Sequence, residues 1–150
     1  MYTALKHFHS PFRYIVLMFL IYAVITALLG MSRKSEFTPA HNRVSLFAMI
    51  FCHVQLLVGI LLFTVSPIIE VGLSDMGSAM QDPQVRFYLI EHPLLMIAAI
   101  ALITVGRSTS KKAVDSAAKF KKIAIFYGIG LVLILVSIPW PFLKDFGTWH

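Results

Sequence analysis

The sequence predicts an all-α integral membrane protein built as a bundle of four transmembrane helices. Its 150 residues are 58% hydrophobic and 13% charged, whereas soluble domains are about 45–50% apolar and about 25% charged. The apolar residues form four continuous runs, each close to the roughly 20 residues with which a helix crosses about 30 Å of hydrocarbon. Transmembrane β-strands are short and alternate in polarity. The continuous runs therefore favour helices and make the lipid bilayer the first expected partner.

The four runs place the spans in a single transmembrane domain over residues 1–150. The expected spans are 12–30, 44–65, 87–106 and 123–142. The longest connection, between the second and third spans, reads SPIIEVGLSDMGSAMQDPQ. It is partly apolar and is interrupted by glycine and proline. It predicts either a short helix on the outer surface, which would cover what lies beneath it, or an ordinary connector.

The basic residues indicate the orientation of the spans. The third loop carries six of them against Asp115, and the first loop carries three against Glu36. Cytoplasmic loops are enriched in Lys and Arg, so we expect loops one and three in the cytoplasm and both termini outside. Because these residues sit in short segments between apolar runs, the net charge of +6 does not indicate nucleic-acid binding.

Two histidines lie inside predicted spans, His53 in IFCHVQLLVGILLF and His92 in FYLIEHPLLMIAA. At 1.5 Å per residue, His53 lies about 15 Å from Arg43 and His92 about 22 Å from Arg107. Both therefore fall in the central to outer half of the bilayer. Ionisable residues at this depth are costly, usually face the bundle interior and mark functional sites.

Two imidazoles on different helices suit haem. A four-helix bundle can hold a porphyrin between its helices, with a histidine from each of two helices on the iron. A neutral imidazole also avoids the cost of burying a charge. We therefore expect one haem b between the second and third spans, with His53 and His92 as axial ligands of the iron. The alternative for each histidine is a hydrogen bond to a neighbouring helix.

His9 is the alternate ligand. Residue counting puts it about 10 Å above His92, a poorer match in depth than His53 unless the first span is tilted or displaced. Ser10 and Pro11 have the pattern of a helix start, and a helix that begins earlier would carry His9 in its first turns. Arg13 lies one turn from His9 on the same face. Its guanidinium suits a haem propionate, and its alternative role is to reach the lipid headgroups.

Three further polar residues, Glu91, Gln55 and Tyr14, are candidates for a proton-transfer or quinone site. A carboxylate as deep as Glu91 is either a proton-transfer group or one partner of an internal ion pair. The nearest cations by depth are Arg13 and Arg86. Gln55 is also able to form an interhelical hydrogen bond, so both interpretations stay open at this point.

Methionines accompany both intramembrane histidines. Met49 lies four residues before His53, and Met96 lies four residues after His92, so each shares a helix face with its histidine. Thioether and imidazole groups together suit Cu(I). The alternative is that these methionines fill gaps in the bundle core, which is the more common role of methionine in an apolar chain.

Four strings, spread along nearly the whole chain, carry a resemblance: HSPFRY, FAMIFCHVQLLVG, RFYLIEHPLLM and KIAIFYGIGLVLILVSIPWPF. They resemble the small four-helix membrane proteins of Bacteroidota that are labelled "cytochrome B". The resemblance implies a b-type haem and a location in the bacterial inner (cytoplasmic) membrane. The matching positions are His9, Ser10, Arg13, Tyr14, His53, Gln55, Gly59, Glu91 and His92.

The leading functional hypothesis is a b-type haem-binding membrane cytochrome that exchanges electrons with quinone or with a respiratory redox subunit. One haem near one face cannot carry electrons across the bilayer alone, so a redox partner is expected. A second hypothesis is an enzyme similar to the four-helix membrane protoporphyrinogen oxidases, which also carry an early histidine in their first span. A third is a non-redox small subunit or a copper-handling membrane protein. A homo-oligomer and a subunit of a larger complex are both open.

Overall fold

The structure, a computed structural model, describes residues 1–140 and 142. The end of the predicted fourth span falls partly outside these residues, as does the C-terminus that we expect on the outer side. The described residues form helices and contain no β-strand. In chain order the helices are α1 Tyr2–Ser32, α2 Pro39–Thr64, α3 Pro67–Ser74, α4 Met76–Gln81, α5 Pro83–Arg86, a π-helical turn Phe87–Glu91, α6 His92–Lys112 and α7 Ser116–Ser137.

Four of these segments are long and apolar enough to cross a membrane: α1, α2, the continuous stretch Pro83–Lys112, and α7. The predicted fold class is thereby confirmed. Each of the four segments leaves large apolar side chains exposed on the outside of the bundle. Examples, one from each segment, are Met18, Leu57, Leu94 and Val132. Such a continuous apolar surface is unfavourable in water and is what contact with lipid requires.

The bundle closes in the order α1, α2, α6, α7, with α7 returning to α1. The pairs α1–α2, α1–α7 and α6–α7 pack closely, whereas α2 and α6 pack least closely of the four. Small residues allow the close approach of α6 to α7: Gly106 lies against Phe126, and Gly130 lies against Ile103. Across the bundle, the Tyr127 hydroxyl donates a 2.6 Å hydrogen bond to the backbone carbonyl of Ser45. The loosest seam therefore lies between α2 and α6.

Helix α1 begins well before the first predicted span. It starts at Tyr2 and continues through Pro11, so Ser10 and Pro11 do not form a helix start. A proline removes one backbone N–H, but such a loss is tolerated in membrane helices because neighbouring groups compensate for it. The earlier start carries His9 inside the helix. This was the alternative that the sequence left open.

The long connection between α2 and the third span is helical. Of the two alternatives that the sequence left open, the helical one is found, and two short helices are present, α3 and α4. Gly72 of α3 packs against Val85 and Leu89. At the start of α4, Asp75 accepts hydrogen bonds from the backbone N–H of Ser78 (3.1 Å) and from its hydroxyl (2.6 Å). The bond from the Ser78 hydroxyl, and after it the bond from the backbone N–H, hold the pKa of the Asp75 carboxyl below its usual value. The same two bonds fix the first turn of α4.

The chain enters the third span through a single π-helical turn, Phe87–Glu91. The N–H of His92 bonds to the carbonyl of Phe87, five residues earlier. Pro93 has no N–H, so the regular bond to the carbonyl of Leu89 is missing. The wider turn relieves this interruption, and π turns within α-helices are frequent at functional sites. His92 is the first residue after it.

Candidate functional site

The structure brings His9 and His92 together. His9 is in the third turn of α1, and His92 begins α6. Their ring centroids are 6.4 Å apart, and the ring planes are inclined at 73°. Two imidazoles from different helices thus meet inside the bundle, at the end that we expect to face outward.

A hydrogen bond to α7 fixes the orientation of His92. Its Nδ1 lies 2.8 Å from the backbone carbonyl oxygen of Ser137. A carbonyl oxygen can only accept a hydrogen bond, so Nδ1 carries the hydrogen. In the neutral ring, Nε2 then has a free lone pair, with which it can accept a hydrogen bond or bind a metal ion. Ser137 is the last residue of α7, and the last carbonyls of a helix have no partner within it. The helix end therefore supplies the acceptor.

Helix α2 holds His9 in position from the other side. The amide Nε2 of Gln55 donates a 2.8 Å hydrogen bond to the backbone carbonyl of His9. Gly59, one turn further along α2, leaves room for the ring, since a Cβ there would lie 3.3 Å from Cε1 of His9. The Nδ1 atom of His9 is buried and has no hydrogen-bond partner in the described part of the chain. A buried nitrogen without a partner is costly, and this atom is able to accept a hydrogen bond or to bind a metal ion.

Two other predicted residues lie beside this pair on α1. The Arg13 guanidinium donates a 3.2 Å hydrogen bond to the Tyr14 hydroxyl. Its central carbon lies 5.0 Å from the centre of the Tyr14 ring and 5.9 Å from the centre of the Trp140 ring. Both rings hold the cation by its attraction to their π faces. Arg13 is four residues from His9, and therefore follows it along one helix face.

Glu91 pairs with Arg86 rather than with Arg13. Nε of Arg86 lies 2.9 Å from a carboxylate oxygen of Glu91, and both side chains are partly exposed. The same arginine donates a 2.8 Å hydrogen bond to the carbonyl of Met80 at the end of α4. Of the two interpretations of Glu91, this geometry supports the internal ion pair. The pair ties α4 to the π turn above His92.

His53 lies elsewhere. Its Nδ1 is 2.8 Å from the carbonyl oxygen of Met49 on its own helix. Its Nε2 faces the hydroxyl of Thr104 on α6, at 3.4 Å, while that hydroxyl donates to Ile100 at 2.7 Å. His53 therefore lines the loose seam between α2 and α6.

This placement differs from the expected pairing of His53 with His92. Thr104, which faces His53, is about 18 Å along α6 from His92 at 1.5 Å per residue. One iron cannot be reached from both rings across that separation. Depths counted from the helix ends ignored the directions of the side chains: the His53 ring turns back one helical turn toward Met49. Residue counting also gave a difference in depth of about 10 Å between His9 and His92, which is too large, since their ring centroids are 6.4 Å apart. The count ignored side-chain directions there as well, and it did not include the earlier start of α1.

Two partners in this region were not found from the sequence, namely the carbonyl of Ser137 and the hydroxyl of Thr104. A backbone carbonyl carries no residue signature. The available signal for Ser137 was Pro139, which marks the end of α7 and hence a free carbonyl. Thr104 offered none, because threonine in a membrane helix usually bonds to its own backbone, as it also does here.

The donor set of this region is small. Within residues 1–140 and 142, no group of three or more His, Cys, Asp or Glu side chains is arranged to hold one metal ion. The imidazoles of His9 and His92 are two potential metal ligands, and their rings lie close to each other. Comparisons with protein families, with curated proteins and with solved structures found no match for this chain.

Proposed function

We propose that this multi-pass membrane protein is a b-type cytochrome of the bacterial inner membrane and exchanges electrons with quinone or with a redox subunit. His9 and His92 are the residues that would hold the iron of one haem. This assignment keeps the predicted cofactor but replaces His53 with His9. Bound haem supplies one-electron chemistry, and the chain supplies the ligands and their surroundings.

The separation of the two imidazoles is the observation that carries this proposal. A ring nitrogen that binds a metal lies about 2 Å from it, so two imidazoles on opposite sides of one metal have centroids about 6 Å apart. The rings of His9 and His92 are 6.4 Å apart. They come from different helices, as the two ligands of a haem in a helical bundle do.

The surroundings of the two rings fit neutral ligands. A metal-bound histidine nearly always donates its other N–H to a carbonyl, a carboxylate or water, and His92 does so to Ser137. His9 has a buried nitrogen without a partner. Arg13, one turn away, offers a guanidinium whose fork matches a propionate carboxylate.

The visible spectrum of the purified protein tests the proposal. In detergent, the protein from haem-replete cells is expected to contain one haem per chain and to show sharp α and β bands after dithionite reduction. Such bands are typical of a low-spin haem with two histidine ligands. Metal analysis of the same sample is the control. A colourless protein, with or without bound copper, would contradict the proposal and favour the non-redox alternative.

Gly59 provides a graded test from the opposite helix. Replacing it with leucine is expected to displace the His9 ring and to lower the haem content at least about tenfold. Tenfold is the lower end of the loss in metal affinity that follows when a group supporting a metal ligand is changed. Gly59→Ala places only a Cβ at 3.3 Å from the ring and should keep most of the haem. Haem per chain is measured by the pyridine haemochrome assay. Full haem content in Gly59→Leu would argue against His9 as a ligand.

A further inference from the structure

Arg107 is a buried charge far from the two imidazoles. It lies on α6, near the end that the positive-inside rule places in the cytoplasm, and only 7% of its surface is exposed. Its Nη2 atom donates a 2.8 Å hydrogen bond to the side-chain oxygen of Asn42 on α2. Nε and Nη1 are buried and have no acceptor in the described part of the chain. A guanidinium has five N–H donors, so most of its capacity to bind an anion is unused.

The described residues do not compensate this charge. No carboxylate of residues 1–140 and 142 lies within ion-pair distance of Arg107. Asn42 supplies a neutral amide, and it belongs to the first turn of α2, where the helix dipole is positive. The hydroxyl of Ser110, one turn along α6, bonds to the carbonyl of Lys119. An uncompensated buried charge is strongly destabilising, so an anion from outside the described chain is expected.

The position of Arg107 indicates which anion. It lies at the loosest seam of the bundle, between α2 and α6, where the sequence places the boundary of the cytoplasmic leaflet. Exposed Arg43 and Lys111 flank it on the two helices, and apolar side chains are exposed on both helices toward the membrane interior, among them Phe47 on α2 and Val105 on α6. Basic pockets between membrane helices on the cytoplasmic side suit anionic lipid headgroups. The apolar residues beside them suit acyl chains.

We propose that the Arg107 guanidinium, held in place by Asn42, is a binding site for the phosphate of an anionic phospholipid from the cytoplasmic leaflet. The phosphate oxygens accept hydrogen bonds from Nε or Nη1 together with the N–H of Nη2 that Asn42 does not use, in the two-pronged geometry that guanidinium and phosphate groups favour. The acyl chains lie along the seam between α2 and α6. The Asn42 contact holds the arginine when no lipid is bound, and the seam opens at this end to admit the headgroup. This site is independent of the proposed haem.

Binding of defined lipids to the full chain tests this site. The delipidated protein in detergent is titrated with phosphatidylglycerol, phosphatidylcholine or inorganic phosphate, and binding is followed by native mass spectrometry and thermal unfolding. Phosphatidylglycerol is expected to bind and to raise the melting temperature, and the other two are not. Arg107→Gln should weaken phosphatidylglycerol binding at least about tenfold, which is roughly 1.4 kcal/mol. Lys122→Gln, which changes an exposed basic residue on α7 outside this pocket, should change it less than about twofold.

Two binding results would overturn the proposal: unchanged phosphatidylglycerol binding in Arg107→Gln, or phosphatidylcholine binding as strong as that of phosphatidylglycerol. An effect of inorganic phosphate equal to that of phosphatidylglycerol would also overturn it, because it would identify a site for a free anion. If Arg107→Gln does not fold, Asn42→Ala replaces it. That variant keeps the guanidinium and removes the amide oxygen that accepts its hydrogen bond in the described part of the chain. The rise in melting temperature with phosphatidylglycerol should then exceed that of the unaltered protein, and an equal or smaller rise would contradict the lipid site.

Discussion

Alanine at His92 or at His9 is expected to abolish the proposed haem binding. Each substitution would delete one of the two proposed ligands of the iron, and one imidazole alone would not give a low-spin haem. Losing only a supporting hydrogen bond to a metal ligand weakens binding about 10–100-fold, so loss of the ligand itself should exceed about 100-fold. The measurement is the reduced-minus-oxidised spectrum together with haem per chain in detergent.

His53→Ala is the matched control for these two variants. It removes an imidazole from the same bundle, but one that faces Thr104 on the α2–α6 seam. We expect it to retain the α and β bands. The opposite pattern, with bands lost in His53→Ala and kept in His9→Ala, would restore the pairing that residue counting suggested. It would also show that the approach of His9 to His92 has no role in haem binding.

The second large effect is expected for Gly130→Leu, which should destabilise the bundle by about 3 kcal/mol, the upper part of the range for overpacking a filled core. A Cβ at Gly130 already lies 2.8 Å from Cγ1 of Ile103 and 3.2 Å from the carbonyl oxygen of Ala99. Relief requires α7 to move away from α6. Since Ser137 of α7 holds His92, the haem content should fall as well. Thermal unfolding in detergent measures the first effect, and the absorbance spectrum measures the second.

Gly128→Leu provides the control on the same helix. A Cβ at Gly128 meets nothing within 4 Å, so leucine there extends toward the lipid. Both substitutions gain the same helix propensity over glycine, about 1 kcal/mol. The difference between them therefore isolates the packing of α7 against α6. Equal stability of the two variants would contradict this packing.

The number and type of the membrane segments followed from the sequence alone. Continuous apolar runs of bilayer length can satisfy their backbone groups in lipid only as helices, so hydropathy determined the spans. The glycines and prolines of the long connection were compatible with the short helices found there. The cost of burying an ionisable group singled out the histidines as site residues. Each of these inferences depends on a local property of one segment.

Which histidines meet was decided by the tertiary structure. The contact depends on the start of α1 before Pro11, on the room that Gly59 leaves for His9, and on the free carbonyl at the end of α7 that orients His92. It also depends on the direction of the His53 ring along its helix. Rise per residue gives depth but neither helix rotation nor side-chain direction. Helix rotation and side-chain direction are set by packing between helices that are distant in the sequence. The same packing buries the Arg107 donors that have no acceptor in the described part of the chain, so the sequence alone could not identify them.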